Sequence, residues 1–279
     1  MPTALGAEHV EAYRCEGYLV VPGLYSAGEV ARARELIEAD LATGGWAQAP
    51  YHADDVTTDV YERVPELARL VLSGPYLRAM EALFGPDAWV IAEPAVHRGR
   101  YYGWHKDSTF LDAQGESFHW DDGFAAAMTV LYLQGNDPDH GGGITLVPRT
   151  HGDPDFYHRV PAMNPLQRAW LKAQKVAGVS HFDRMDKHPD CRAVATEAGD
   201  LLVLDLRLDH RGTPARRPPA VPKYGVMSIA CRGGDTARRL SAALRRRPGR
   251  YYREYLAREP ATTPVLEEIA RAHGAQITL

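Results

Sequence analysis

In the first half of the chain, apolar positions recur with helical spacing. Ser26-Ala-Gly-Glu29 has the spacing of a capping box, in which the serine accepts from an early helical N–H while the glutamate reaches back. Val30, Leu36, Ile37 and Leu41 then follow along one face, and Gly44-Gly45 closes the element. A short strand and turn are predicted just before it, over Gly17–Gly23. A second helix is predicted over roughly Pro65–Phe84, stopping at Gly85-Pro86.

From Trp89 the pattern shortens. Apolar or alternating runs fall at 88–97, 100–107, 124–133, 143–148, 192–195, 200–209 and 223–231. Turn-forming clusters such as Gly135-Asn-Asp-Pro138 and Gly141-Gly142-Gly143 separate them, which predicts antiparallel β structure of the jelly-roll kind. Two segments break the series. One is a helical insert at 153–190 (Asn164–Gly178, with Leu166, Trp170 and Leu171) flanked by irregular, His-rich sequence. The other follows Cys231, where the chain turns basic and helical over 236–279, with Arg238, Arg239, Arg245–Arg247 and Arg250 read as a solvated helix face. With no internal repeat and no long linker, the expectation is one α+β domain over 1–279. Its core would be a double-stranded β-helix (jelly-roll, cupin-like), with the N-terminal helices packed on one face.

Composition narrows the function. A hydrophobic share of 45% supplies a globular core, and a net charge of −4 gives no reason to expect nucleic acid as a partner. Cys15, Cys191 and Cys231 are odd in number and never form a CxxC pair, which reads as reduced cysteines inside a cell. Met1–Val10 lacks the basic and apolar regions of a secretory signal, and the longest apolar run, Phe124–Leu133, is too short to cross a bilayer. The expectation is a cytoplasmic protein with no membrane partner.

The candidate chemistry is a metal site. Two residues spaced i and i+2 on a strand project to the same side, so His-x-Asp presents two ligands together. Six such pairs occur: His52/Asp54, His105/Asp107, His119/Asp121, His151/Asp153, His181/Asp183 and His188/Asp190. His105/Asp107 closes an aromatic run, Tyr101-Tyr102-Gly103-Trp104, and His119/Asp121, beside Trp120, is its rival. A third ligand candidate ends Leu201–Asp209: alternation puts Leu202, Leu204, Leu206, Leu208 and His210 on one face. A buried structural histidine would leave the same trace. Two imidazoles and a carboxylate on one side of an ion, with the other positions open, are the donor set of a non-haem iron(II) oxygenase.

Four segments, in order, resemble the phytanoyl-CoA dioxygenase family of iron(II)/2-oxoglutarate oxygenases. They are Gly17–Gly23 with the capped helix, Trp104-His105-Lys106-Asp107, Gly142-Gly143-Ile-Thr-Leu-Val-Pro148-Arg-Thr-His151, and Gly199-Asp200 with His210-Arg-Gly-Thr-Pro214. The resemblance implies His105, Asp107 and His210 as ligands of iron(II), with 2-oxoglutarate and oxygen as cosubstrates and a small molecule as substrate, by analogy one of secondary metabolism. An intact carboxylate at Asp107, where related halogenases have a small residue, implies hydroxylation or a related oxidation.

One departure stands out. The family carries an arginine for the far carboxylate of 2-oxoglutarate near the start of its last core strand, where this chain has Val221. Lys223, pointing inward, and Arg216 and Arg217, in a proline-rich loop, are the candidate replacements. Thr129 and Thr213 are candidate hydrogen-bond partners, Trp104, Trp120, Tyr102 and Phe110 a candidate pocket wall, and the insert a candidate lid. The competing reading is a non-catalytic β-barrel that binds a small molecule. A zinc hydrolase lacks support, since no HExxH occurs.

Overall fold

The computed structural model describes residues 5–48, 52–53, 56–99, 103–218, 221–246 and 262–278. Tyr101, Tyr102, Arg247 and Arg250, named above, lie outside the described residues. The strands are β1 (Tyr18–Val21), β2 (His52–Ala53), β3 (Val56–Thr57), β4 (Ala88–Arg98), β5 (Ala126–Tyr132), β6 (Ile144–Leu146), β7 (Arg192–Ala193), β8 (Leu201–Asp205), β9 (His210–Gly212), β10 (Tyr224–Arg232) and β11 (Gln276–Thr278). A large sheet runs β1-β8-β5-β10-β4-β3-β2, and a small one runs β7-β6-β9. All pairs are antiparallel except β11, which adds to β4 in parallel, so the C-terminal segment is not wholly helical as expected. Among the described residues no helix is long and apolar enough to cross a membrane.

Helices cover one face of the large sheet. The Ser26/Glu29 capping box forms and starts the helix Ala27–Ala42. The predicted helix over Pro65–Phe84 is two helices, Pro65–Val71 and Gly74–Phe84. Pro75 has no N–H for the Val71 carbonyl, which accepts instead from the Tyr25 hydroxyl at 2.6 Å. The covered face is marked by hydrogen bonds between Tyr76 and Thr129 at 3.1 Å and between Tyr61 and Ser228 at 3.4 Å, and by Arg34 over the Tyr224 ring. Alternation then turns Lys223, Gly225 and Met227 to the opposite face.

That opposite face meets the small sheet. Leu146 belongs to the main hydrophobic core and Ile144 packs against it. Register pairs Leu146 with His210 and Ile144 with Gly212. Directly opposed residues share a face, so His210 points between the sheets.

Two strand expectations change here. The run 200–209 is not one strand: β8 ends at Asp205, whose carboxylate accepts from the Arg207 N–H at 2.8 Å while its carbonyl accepts from Leu208 N–H at 2.9 Å. This turn moves the chain into the small sheet, so the alternation from Leu202 to His210 does not run through. In the run 100–107, only His105 has a strand partner among the described residues, and Asp107 sits in a turn.

Candidate metal centre

Two backbone hydrogen bonds bring the predicted ligands together. His105 and His210 exchange N–H···O bonds of 2.9 and 3.0 Å, an isolated antiparallel bridge that sets their rings 4.2 Å apart between centroids. The turn after His105 folds Asp107 back, so its Oδ1 lies 3.6 Å from His105 Nε2 and 3.8 Å from His210 Nε2. All three ligand atoms fall within 4.8 Å of one another.

Each imidazole is oriented from behind. His105 Nδ1 donates to the Gly103 carbonyl at 2.7 Å, and His210 Nδ1 to the Leu208 carbonyl at 3.0 Å. With the proton on Nδ1, both Nε2 lone pairs face Asp107, an arrangement in which second contacts fix tautomer and aim. Burial, followed by the neighbouring His105, pushes the His210 pKa down to about 4, with Asp107 opposing. His210 is therefore neutral near pH 7, the form that binds a metal. The donor set fits iron(II), and a carboxylate beside two imidazoles suits a divalent ion.

The pairs at 119, 181 and 188 are engaged elsewhere. His119 Nε2 is 3.1 Å from Asp112, not Asp121. Asp183 closes a capping box with Ser180, and Asp190 pairs with Arg149. Asp54 lies outside the described residues.

The candidate cosubstrate residues do not all converge. Lys223 is 6% exposed, and its Nζ donates to the Gly135 and Gly141 carbonyls at 2.7 and 2.9 Å. Burial lowers its pKa, with Asp137 opposing. Arg216 and Arg217 are exposed, and their backbone N–H groups donate to the Asp139 carbonyl. Thr129 faces the helices and donates to the Ser228 carbonyl at 3.0 Å. Thr213 bonds Thr145 at 2.9 Å, and Thr145 lies opposite Arg211, one step out of phase with His210. Thr213 is thus on the side of the small sheet away from the triad.

Nor do the aromatics form one wall. Phe110 is in the main core, Trp104 joins Val147 and Tyr157 in a separate cluster, and Trp120 donates to Asp112 at 3.2 Å. The insert holds three helices, Arg159–Ala162, Pro165–Val176 and His181–Asp186. Asp186 accepts from Trp104 Nε1 at 2.9 Å and pairs with Arg211 at 2.9 Å, touching the neighbours of both histidines.

Sequence reasoning missed Asp186 and Arg211 because nothing local links residues so far apart. It also missed Asn136, whose Oδ1 lies beside Gly142 and Lys223.

The fold and a His105, Asp107 and His210 group able to hold a metal ion are those of the phytanoyl-CoA dioxygenase class of proteins. The family described as phytanoyl-CoA dioxygenase (PhyH) matches residues 13–217, and the chain belongs to it. The ectoine dioxygenase of Stutzerimonas stutzeri is 28% identical over 172 residues, 53% of this chain and 51% of that protein, so the match spans about half of that relative's length. The ectoine dioxygenase of Sphingopyxis alaskensis is 22% identical over 80% of this chain and 77% of its own. HygX from Streptomyces hygroscopicus, solved with nickel and 2-oxoglutarate, superposes with a TM-score of 0.58 at 20% identity over 83% of this chain and 88% of its own.

Proposed function

We propose that residues 1–279 form a single catalytic unit that hydroxylates a small molecule, with His105, Asp107 and His210 as the iron ligands. The two facing sheets are read as a double-stranded β-helix with the metal held between them. One observation carries the reading: His105 Nε2, Asp107 Oδ1 and His210 Nε2 converge while both Nδ1 atoms are tied to backbone carbonyls. Three ligands on one side leave the rest of the coordination sphere for cosubstrates.

Iron(II) with 2-oxoglutarate and oxygen supplies C–H oxidation, with succinate and carbon dioxide as co-products. The chain's part is to orient, charge-match and enclose. Lys223 supplies the cation for the far carboxylate of 2-oxoglutarate. Its stem lies on the triad side of the sheet, and two of its three N–H groups hold it in place. Arg216 and Arg217 remain surface alternatives, and the insert is the lid, latched through Asp186. The substrate belongs to the amino-acid-like or secondary-metabolite class, and ectoine is the first compound to test, because two relatives are named for it.

The test is anaerobic addition of iron(II) and 2-oxoglutarate. A visible metal-to-ligand charge-transfer band in the parent protein, absent in His210→Ala, is expected, followed by substrate-stimulated succinate release in air. No band, or the same band in His210→Ala, overturns the assignment. A band without succinate release from any small-molecule pool returns the reading to a binding protein.

A further inference from the structure

We propose that Asp112, Asp155 and His158 form a second divalent-cation site, separate from the triad, that ties the start of the insert to the segment after Asp107. The three residues come from two places in the chain. Asp112 lies in the short helix Thr109–Ala113, and Asp155 and His158 lie just before the insert helix Arg159–Ala162. Each offers a ligand atom, and the three atoms lie within 4.8 Å of one another. Small side-chain adjustments bring such a set around one ion at ligand distances of about 2.0–2.2 Å.

The hydrogen bonding around these residues suits a cation. Asp155 is 2% exposed. Its Oδ1 accepts from the Tyr157 N–H at 2.6 Å, while Oδ2 is buried with no hydrogen-bond partner among the described residues. His158 Nδ1 is buried in the same condition. A carboxylate oxygen and an imidazole nitrogen left bare beside a second carboxylate are costly unless a cation takes up both lone pairs. The second carboxylate is already aimed: Asp112 accepts from His119 Nε2 at 3.1 Å on one oxygen and from Trp120 Nε1 at 3.2 Å on the other. Burial lowers the His119 pKa, with Asp112 opposing. A ligating carboxylate held by a histidine and an indole has the outer contacts typical of a metal site. The donor set of two carboxylates and one imidazole suits zinc or manganese better than calcium, which takes oxygen ligands alone.

The role follows from position. Tyr157, between Asp155 and His158, packs with Trp104 and Val147 in the cluster beside the triad. An ion here fixes the root of the insert, while Asp186 fixes its far end.

The experiment uses the full chain with zinc alone as the probe. A His210→Ala protein, stripped with chelator, disables the triad whether or not the triad binds iron. Dialysed against added zinc, it is expected to take up and retain one tightly bound equivalent by metal analysis. Adding His158→Ala is expected to weaken that binding by at least about 100-fold. A second measurement needs no further variant: zinc should slow proteolysis within 153–190 of the His210→Ala protein by about tenfold. No retained zinc, retained zinc unaffected by His158→Ala, or cleavage unchanged by zinc each overturns the site.

Discussion

Lys106 and Asp209 form a buried ion pair, Nζ to Oδ2 at 3.3 Å, with side chains 1% and 3% exposed. Each stands next to a triad residue: Lys106 lies between His105 and Asp107, and Asp209 precedes His210. The ammonium also donates to the Thr150 and Arg207 carbonyls at 2.7 and 2.6 Å. The Asp209 backbone N–H donates to Thr150 Oγ1 at 3.0 Å, and burial raises the Asp209 carboxyl pKa against the lowering effect of Lys106. The pair therefore clamps together the two segments that carry His105 and His210.

Lys106→Met leaves Asp209 buried without its counter-charge, and an uncompensated buried charge costs about 3–5 kcal/mol. Denaturant unfolding of the metal-free protein should show a loss of that size. Lys106→Met with Asp209→Leu should recover much of the stability but not iron affinity, measured by competition with a chromophoric chelator. Full recovery of both would remove the positioning role.

Metal-free stability should depend on pH through His210. Its folded pKa is pushed down to about 4, whereas an unfolded imidazole titrates near 6.5. Below about pH 6.5 the unfolded chain takes up a proton that the folded chain refuses, so stability falls with pH until about 4 and then levels. The loss is up to about 3 kcal/mol. Unfolding midpoints of parent and His210→Gln, measured across this window, should differ in slope, the variant lacking this component.

Gly142 sits at φ +85°, and a Cβ there would run into Lys223 Cδ and Asn136 Oδ1. Gly142→Ala combines an unfavourable backbone conformation with displacement of the lysine stem, for about 1–3 kcal/mol. The dissociation constant for 2-oxoglutarate should rise with it. In parallel, Lys223→Ala should weaken 2-oxoglutarate binding about 10-fold or more, and Lys223→Arg should restore part of it. Equal affinity in Lys223→Ala and parent would remove Lys223 from the cosubstrate site.

Asp186→Ala cuts the contacts to Trp104 and Arg211 together. The charge-transfer band should persist, because no ligand is touched, while more 2-oxoglutarate is consumed per substrate oxidised. The ratio of succinate to hydroxylated product measures this, and an unchanged ratio would rule out the insert as a closing element.

Much of this was legible locally. The capped helix at Ser26, the strands β4, β5 and β10, and the insert helix after Asn164 all carry their signals within a dozen residues, where hydrogen bonding and alternation act. The break at Leu72-Ser73 was also visible in principle, through Gly74-Pro75, but an apolar helical pattern on both sides hid it. The turn at Asp205–Leu208 was hidden in the same way, since leucines continue across it and suit a buried strand as well as a crossover between sheets.

The sequence by itself determined the donor types: two histidines and an aspartate in motifs whose chemistry suits iron(II), and an inward lysine where the family carries arginine. The tertiary structure decided that the His105/Asp107 pair meets a distant histidine, through a two-hydrogen-bond bridge between residues 105 and 210. It also decided that Thr129 and Thr213 face away from that meeting point, and that Asp112, Asp155 and His158 gather elsewhere. The reason is physical: a side chain's direction along one strand follows from alternation, but its neighbours across the fold follow from register and crossover, which no local pattern encodes.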